Sequence, residues 1–280
     1  MKATSKIFTV DIEEYFHADN LACSLKEENI KNLPDRIDIG LNKLLGLLEK
    51  SGNRATFFVL GCLAEKHKDL IKEIDSHGHE IASHGYTHLS LHKHTPLSFA
   101  QDLAKSLKVL SDIAGRRIIG YRAPNFSLPQ GFSWFFEALK KEGIIYDSSI
   151  SCSLFRACPA DEFLNKRGYF EIGSGILEFP LSFIKIGPFK TPLGGGYFRF
   201  YPYWLIRRGL SADAHSGAAP EIFYIHPWEL DVGQPKFRLP AIRHFRHYLN
   251  LGHTEEKLKR LLADFNFISI RDFLNDKGEV

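Results

Sequence analysis

The feature that most constrains this chain is the alternation, through its first half, of short apolar runs with amphipathic stretches of helical period. Lys6 to Val10 reads as a strand, and Asp35 to Lys50 as a helix with Ile37, Leu41, Leu44, Leu45 and Leu48 on one stripe. Ser51-Gly52-Asn53 stops that helix, and Ala55 to Leu60 is a near-continuous apolar run suited to a strand covered on both faces. The pattern repeats with a helix over Cys62 to Ser76, a strand at His79 to Ser83 and a helix over Leu97 to Ala114. A strand at Arg117 to Tyr121, a helix over Phe132 to Glu142 and a brief strand at Ile144 to Tyr146 follow. Units of this length imply a parallel sheet, either a barrel or an open doubly wound form.

The second half changes character. Residues 151–203 are rich in Gly, Pro and aromatics, with short candidate strands at Leu177–Phe179 and Tyr197–Phe200 and a helix opened by Pro202 and running to Arg208. Glu221 to Ile225 is another buried strand, and Thr254 to Phe265 a final helix. No repeat, low-complexity tract or linker separates the halves, so residues 1–280 are expected to form one domain whose C-terminal part extends the strand–helix core.

Composition excludes several functions. Lys and Arg total 36 against 33 Asp and Glu, a formal charge of +3 with the two signs interspersed, which argues against nucleic acid as a partner. The longest run without a charged residue, Ala123 to Phe136, is broken by Pro124, Pro129 and Gly131, so no transmembrane segment is expected. The start meets Asp11 before any long apolar region and does not read as a secretory signal, which gives a cytoplasmic location as the expectation. Cys23, Cys62, Cys152 and Cys158 have no CxxC spacing and are expected to be reduced and structural.

Active sites in parallel α/β architectures collect at the C-terminal ends of the strands. The candidate strands deliver Asp11-Ile12-Glu13-Glu14, then His84-Gly85-Tyr86-Thr87-His88, then Arg122-Ala123-Pro124, then Asp147, then His226-Pro227-Trp228. Any one of these has an ordinary structural reading; five of them at one end of one sheet do not. A spacing of four puts His84 and His88 on one side of a helical turn, close enough to share an ion at about 2.0–2.1 Å. Of Asp11 and Glu13, one is free to bind a metal and the other to act as a base, while His92 and His94 read as surface. There is no GxSxG, and the cysteines lack a surrounding motif, so a covalent nucleophile is not expected. Gly194-Gly195-Gly196-Tyr197-Phe198-Arg199 lacks the Lys-Ser/Thr of a phosphate loop. It reads either as a tight turn or as a place where Tyr197 approaches a sugar face, with Trp204 and Trp228 as further candidates for stacking on sugar.

The ordered set VDIEE, HGYTH, RAP, YDSS and YIHP, covering residues 9–227, resembles the polysaccharide deacetylase family. The longer strings ATFFVLG, GHEIASHGYTH, GYRAPNFS, GGGYFR, FYIHPWELD and FRHYLNL are similar to the subgroup found beside bacterial exopolysaccharide and exosortase gene clusters. The resemblance implies a distorted (β/α) barrel of about seven strands. It implies Asp11 as base, Glu13, His84 and His88 as metal ligands, Arg122 holding the base, and Asp147 pairing with the acid His226. It also implies that a backbone N–H near Asn125 helps bind an oxyanion. The cofactor implied is one divalent ion, zinc first, with cobalt, nickel or iron as alternatives. One departure is Glu13, where the family usually has Asp; with Glu14 adjacent, either glutamate is a candidate third ligand.

The implied activity is removal of acetyl groups, N-acetyl first, from a bacterial glycan or lipid-linked sugar precursor, with an acetylated sugar as partner and a peripheral association with an exopolysaccharide assembly system. Two alternatives keep part of this reading. One is hydrolysis of a small cyclic or linear amide on the same fold, and the other is a sugar-binding module without catalysis.

Overall fold

Strand β1 (Lys6–Ile12) is buried along its whole length, and its alternation organises the molecule. Phe8, Val10 and Ile12 point to the helical layer, whereas Ile7 joins Phe58, Ala82, Tyr146 and Phe179 in a second cluster on the opposite face of the sheet. Thr9 and Asp11, on that second face by the same period, are the first polar side chains inside it.

The computed structural model describes residues 5–22, 25, 30, 32–128, 133–151, 168–172, 175–187, 189–211 and 220–280. After β1 come α1 (Ile37–Ser51), β2 (Thr56–Val59), α2 (Gly61–Lys66), α3 (Lys68–Ser76), β3 (Glu80–Ser83), α4 (Pro96–Ala114), β4 (Gly120–Tyr121), α5 (Ser133–Lys141) and β5 (Tyr146–Asp147). Then follow β6 (Phe170–Ile172), β7 (Ile176–Glu178), a hairpin of β8 (Phe183–Ile186) and β9 (Phe189–Pro192), α6 (Gly195–Phe200), α7 (Tyr203–Ser211) and β10 (Glu221–Ile225). The chain closes with α8 (Ala241–Tyr248), α9 (Leu251–Asp264), β11 (Phe267–Ile268) and α10 (Ile270–Lys277). The main sheet runs β10-β1-β2-β3-β4-β5-β7-β6, with β11 also paired to β1, and every pairing except β6–β7 is parallel. Among the described residues nine strands thus form a curled, incompletely closed (β/α) barrel, against the about seven expected, the surplus lying at the edge (β6) and at the start of β1 (β11).

Helix ends and strand contacts follow from local residues. Gly52, left-handed at φ 67°, ends α1 where the Ser-Gly-Asn stop was read. Thr95 caps α4 and accepts from the Ser98 N–H, with Pro96 at the first helical position. A side chain at Gly120 would run into the Tyr146 ring 2.1 Å away, so the packing of β4 on β5 depends on that glycine.

Two expectations fail locally. The helix read over Cys62 to Ser76 is two helices broken at His67, whose backbone leaves the helical region. Tyr197–Phe200 is helix, not strand: Gly194 and Gly195 let the backbone lie on Tyr224, and α6 starts from that contact. Segments α8, β11 and α10 carried too short a period to be read. Cys62 is half-buried with a free thiol that burial pushes up; Cys23, Cys152 and Cys158 lie outside the described residues. No helix among the described residues is long and apolar enough to cross a membrane.

Candidate active site

The parallel register aligns the C-terminal ends of β1, β2, β3, β4, β5 and β10, so side chains just beyond them meet over one edge of the sheet. A cavity of about 490 Å³ opens there, lined by Asp11, Glu13, Asn125, Tyr197, Trp228 and His226 among others.

Glu13 sits at its floor, 4% exposed, and a single oxygen, Oε1, lies 2.9 Å from His84 Nε2 and 2.8 Å from His88 Nε2. The other nitrogen of His84, Nδ1, is 2.8 Å from the Arg122 carbonyl oxygen. A carbonyl only accepts, so Nδ1 carries a proton, which leaves Nε2 as the nitrogen that would offer a lone pair to an ion. Lone pairs of one carboxylate and two imidazoles then converge, their ligand atoms within 4.8 Å of one another, and such a donor set calls for a cation between them. The residues present therefore fit a divalent ion. Burial opposes ionisation of Glu13, but the neighbouring His88 and His84 outweigh it and hold the carboxyl well below the usual range.

Glu14 has a different task. Its Oε1 accepts from the backbone N–H groups of Arg36 (2.8 Å) and Ile37 (2.9 Å) and so caps the first turn of α1, while burial raises its carboxyl to about 7. Of the two glutamates, Glu13 is the one that lies beside both histidines.

His84 and His88 do not lie on a helical turn, as their spacing suggested. Residues 84–88 form a loop turned at Gly85 (φ 81°) and clamped by Asp102 of α4, which accepts from Tyr86 N (2.7 Å), Thr87 N (3.1 Å) and Thr87 Oγ1 (2.8 Å). A carboxylate sixteen residues downstream thus does what helical geometry was expected to do. Nothing in the local sequence marked it. His92 is exposed; His94 is half-buried and bonds Ser98.

Arg122 is fully buried. Its Nη1 donates to Asp11 Oδ1 (2.7 Å) and Thr9 Oγ1 (2.9 Å), Nη2 to Ser148 Oγ (2.8 Å), and Nε to the Ser148 carbonyl (3.1 Å). One oxygen of Asp11 is thereby fixed, and the other, Oδ2, is 3.9 Å from His226 Nε2. The guanidinium also lies over the Phe58 ring at 4.1 Å.

Asp147 does not pair with His226. Tyr146 points into the second cluster against Phe58 and Phe179, so strand alternation turns Asp147 to the other face, away from the cavity. There it meets Glu178, its partner in register on β7, and accepts from Ser149 Oγ (2.7 Å), whose oxygen in turn receives the Ala123 N–H (2.8 Å). Asp147 organises the Arg122-Ala123-Pro124 turn instead. Burial raises both acids, Asp147 to about 6 and Glu178 well above the carboxylate range, which leaves a proton between them near neutrality.

The carboxylate that holds His226 is Glu229, three residues on. Its Oε1 is 2.8 Å from His226 Nδ1, and its Oε2 accepts from Arg199 Nε at 2.6 Å, with Glu229 wholly buried. Burial alone would lower His226; the bond to Glu229 and the charges of Glu13 and Asp11 overcome it and lift the imidazole to about 9. Arg199 further donates to the carbonyls of His247 (2.7 Å), Leu249 (2.9 Å) and Arg246 (3.2 Å), tying the end of α8 to the same carboxylate. The HxxE spacing within YIHPWEL was the available signal for Glu229; Arg199 had none beyond its place after the glycine run.

Asn125, at φ 58°, sits in a tight turn (Pro124–Phe126) and lines the cavity. Tyr197 is half-buried in that wall, stacked on Tyr201 at 6.1 Å. Trp228 is 7% exposed, its ring stacked on His226 (5.4 Å) and His247 (4.8 Å). Its ring props the histidine while the residue also lines the cavity. Trp204 is 62% exposed on α7 and is not among the residues lining the cavity.

Comparison with known proteins agrees with this architecture. Residues 38–140 match the family model described as Polysaccharide deacetylase. Residues 156–275 match a model described as a domain of unknown function (DUF3473). A peptidoglycan deacetylase of Helicobacter pylori is 32% identical over 113 residues, 40% of this chain and 38% of that protein. A peptidoglycan-N-acetylglucosamine deacetylase of Bacillus cereus is 36% identical over 87 residues, 31% of this chain and 30% of its own length. The chain thus spans less than two fifths of these curated relatives. A solved structure from Mycobacterium smegmatis, described as a polysaccharide deacetylase, superposes with a TM-score of 0.66 at 20% identity, covering 98% of this chain and 90% of the other, and shares the fold.

Proposed function

We propose that this protein is a metal-dependent hydrolase that removes acetyl groups, N-acetyl first, from a bacterial glycan. The observation that carries the reading is the convergence in one cavity of a carboxylate–histidine donor set and a separate acid–base pair, Asp11 and His226. A volume of about 490 Å³ lies within the range of sites that enclose a drug-sized ligand, which favours a sugar unit over a small cyclic amide.

When bound by Glu13, His84 and His88, a divalent ion supplies Lewis acidity to the acetyl carbonyl and to a water molecule. The rest is the work of this chain. Arg122 pins Asp11 Oδ1, so the free oxygen Oδ2 is oriented to take the proton of the attacking water. Asn125 lines the cavity, and its backbone N–H would be the group that meets the developing oxyanion. His226, held protonated by Glu229, delivers a proton from Nε2 to the departing sugar amine, and that nitrogen lies 3.9 Å from Asp11 Oδ2, so acid and base act from the same edge of the cavity. The relatives named as peptidoglycan deacetylases support an N-acetylated amino sugar as substrate.

The test is acetate release from N-acetylated oligosaccharides by the metal-loaded protein. Asp11→Asn should leave metal content unchanged and lower kcat by about 10²–10⁴. Release that is unaffected by this substitution would remove Asp11 as base. Turnover of a cyclic ureide with no release from any oligosaccharide would select the small-amide alternative.

A further inference from the structure

The outer rim of the cavity has a composition that acetyl hydrolysis does not require. Eight large hydrophobic side chains are exposed among the described residues, and three of them, Phe200 (54%), Ile242 (75%) and Phe245 (52%), line this one cavity. The Phe200 and Phe245 rings lie 6.5 Å apart. Exposed apolar side chains scattered singly are ordinary; gathered at one mouth they mark a surface that meets something.

Helix α8 carries two of the three, one turn apart, with its anchoring on the other side. His247 is fully buried and stacked on Trp228, and Arg199 grips the carbonyls of Arg246, His247 and Leu249. The helix is therefore held from within while Ile242 and Phe245 face outward. No acid occurs between Asp231 and Glu255, a stretch that holds Lys236, Arg238, Arg243 and Arg246. In a chain with 36 basic and 33 acidic residues, that is a marked local departure from balance. Lys236, Arg238 and Arg246 are exposed, and Val232, 56% exposed, adds another apolar side chain to the segment.

Apolar side chains projecting from a short helix among cations are the pattern that binds a bilayer interface, the former entering the acyl boundary and the latter meeting phosphates. We propose that this rim, α8 with Phe200 and the segment from Val232, docks on a membrane surface bearing anionic headgroups, with the mouth of the cavity turned toward it. A soluble glycan explains aromatic rings at a mouth but not an isoleucine three quarters exposed beside them. The inference goes beyond the hydrolase reading and does not depend on it, because its measurement involves no turnover.

The whole chain is mixed with unilamellar vesicles of phosphatidylcholine alone or of phosphatidylcholine with phosphatidylglycerol, and bound protein is separated by flotation. Binding is expected to the anionic vesicles, with little to the neutral ones, and to fall as salt is raised. Lys236→Glu with Arg238→Glu should weaken it by about thirtyfold or more, from roughly fivefold per charge lost at the surface. Ile242→Asp with Phe245→Asp should weaken it by about tenfold or more, through lost apolar insertion. Lys50→Glu with Lys72→Glu, exposed on α1 and α3, should leave it unchanged. Melting temperatures equal to wild type establish that each variant is folded. The proposal is overturned by equal binding to both vesicle types, by rim variants that bind like wild type, or by equal losses from Lys50 and Lys72. Retention on an immobilised N-acetylated oligosaccharide, lost in the rim variants while no vesicle binds, would also overturn it and give the rim to the glycan.

Discussion

Replacing Glu229 by Gln tests the proton inventory of the site more sharply than replacing the histidine it holds. The substitution keeps the volume and removes the charge that Arg199 and His226 share. In the native protein His226 is pushed up to about 9 from an ordinary value of 6.5, with burial opposing and the Glu229 bond the largest favourable influence. At about 1.4 kcal/mol per pH unit this gap corresponds to roughly 3 kcal/mol of preferential stabilisation of the imidazolium, shared among Glu229, Glu13 and Asp11. Because the folded value is raised, that stability is fully present below about pH 6.5 and is lost as pH climbs through about 9. Metal-free wild type should therefore lose melting temperature across this window, and Glu229→Gln should lose little there. The variant also leaves Arg199 buried opposite a neutral amide, an overall cost of about 3–5 kcal/mol at low pH. Histidine resonances followed by NMR in metal-free protein read the His226 titration directly, and it should move down by more than about one pH unit. In turnover, the limb on which activity falls with rising pH should move the same way. An unchanged His226 titration in a folded Glu229→Gln protein would refute the assignment of Glu229 as its partner.

Three further outcomes follow from the geometry. His84→Ala or His88→Ala should weaken divalent-ion binding, measured by titration with the ion alone, by more than about a hundredfold with little change in melting temperature, since each removes one of three converging ligands. Asp102→Ala frees three donors that shape the 85–88 loop and should cost about 10–100-fold in the same titration, as loss of support for a ligand does elsewhere. Glu14→Ala should cost about 1 kcal/mol in denaturant unfolding through the lost cap on α1 and leave metal affinity within about twofold of wild type, whereas Glu13→Ala should do the reverse.

How much of this was legible beforehand depended on the distance over which each signal acts. The strands β1, β2, β3 and β10, and the helices α1 and α4, were read closely, because burial of a strand or of one helical face imposes a period that the chain must carry locally. That chemistry gathers at one sheet edge also followed, since parallel strands joined by right-handed crossovers all end on the same side. Asp11, Glu13, His84, His88, Arg122 and His226 were named on that basis, and the structure brings them together.

What only the tertiary structure decided was which way side chains of similar chemistry point and which distant groups they meet. Asp147 and Ser148 are adjacent, yet the packing of Tyr146 turns the first toward Glu178 and the second toward Arg122. Glu13 and Glu14 are chemically alike, and the start of α1 claims one of them. Asp102 and Arg199 bear no motif of their own. Their work consists of supporting backbone or carboxylate groups contributed by other elements, and a contact of that kind leaves no local pattern in the chain. Periodicity records what a segment buries; the pairing of charges is set by where the folded chain carries their partners.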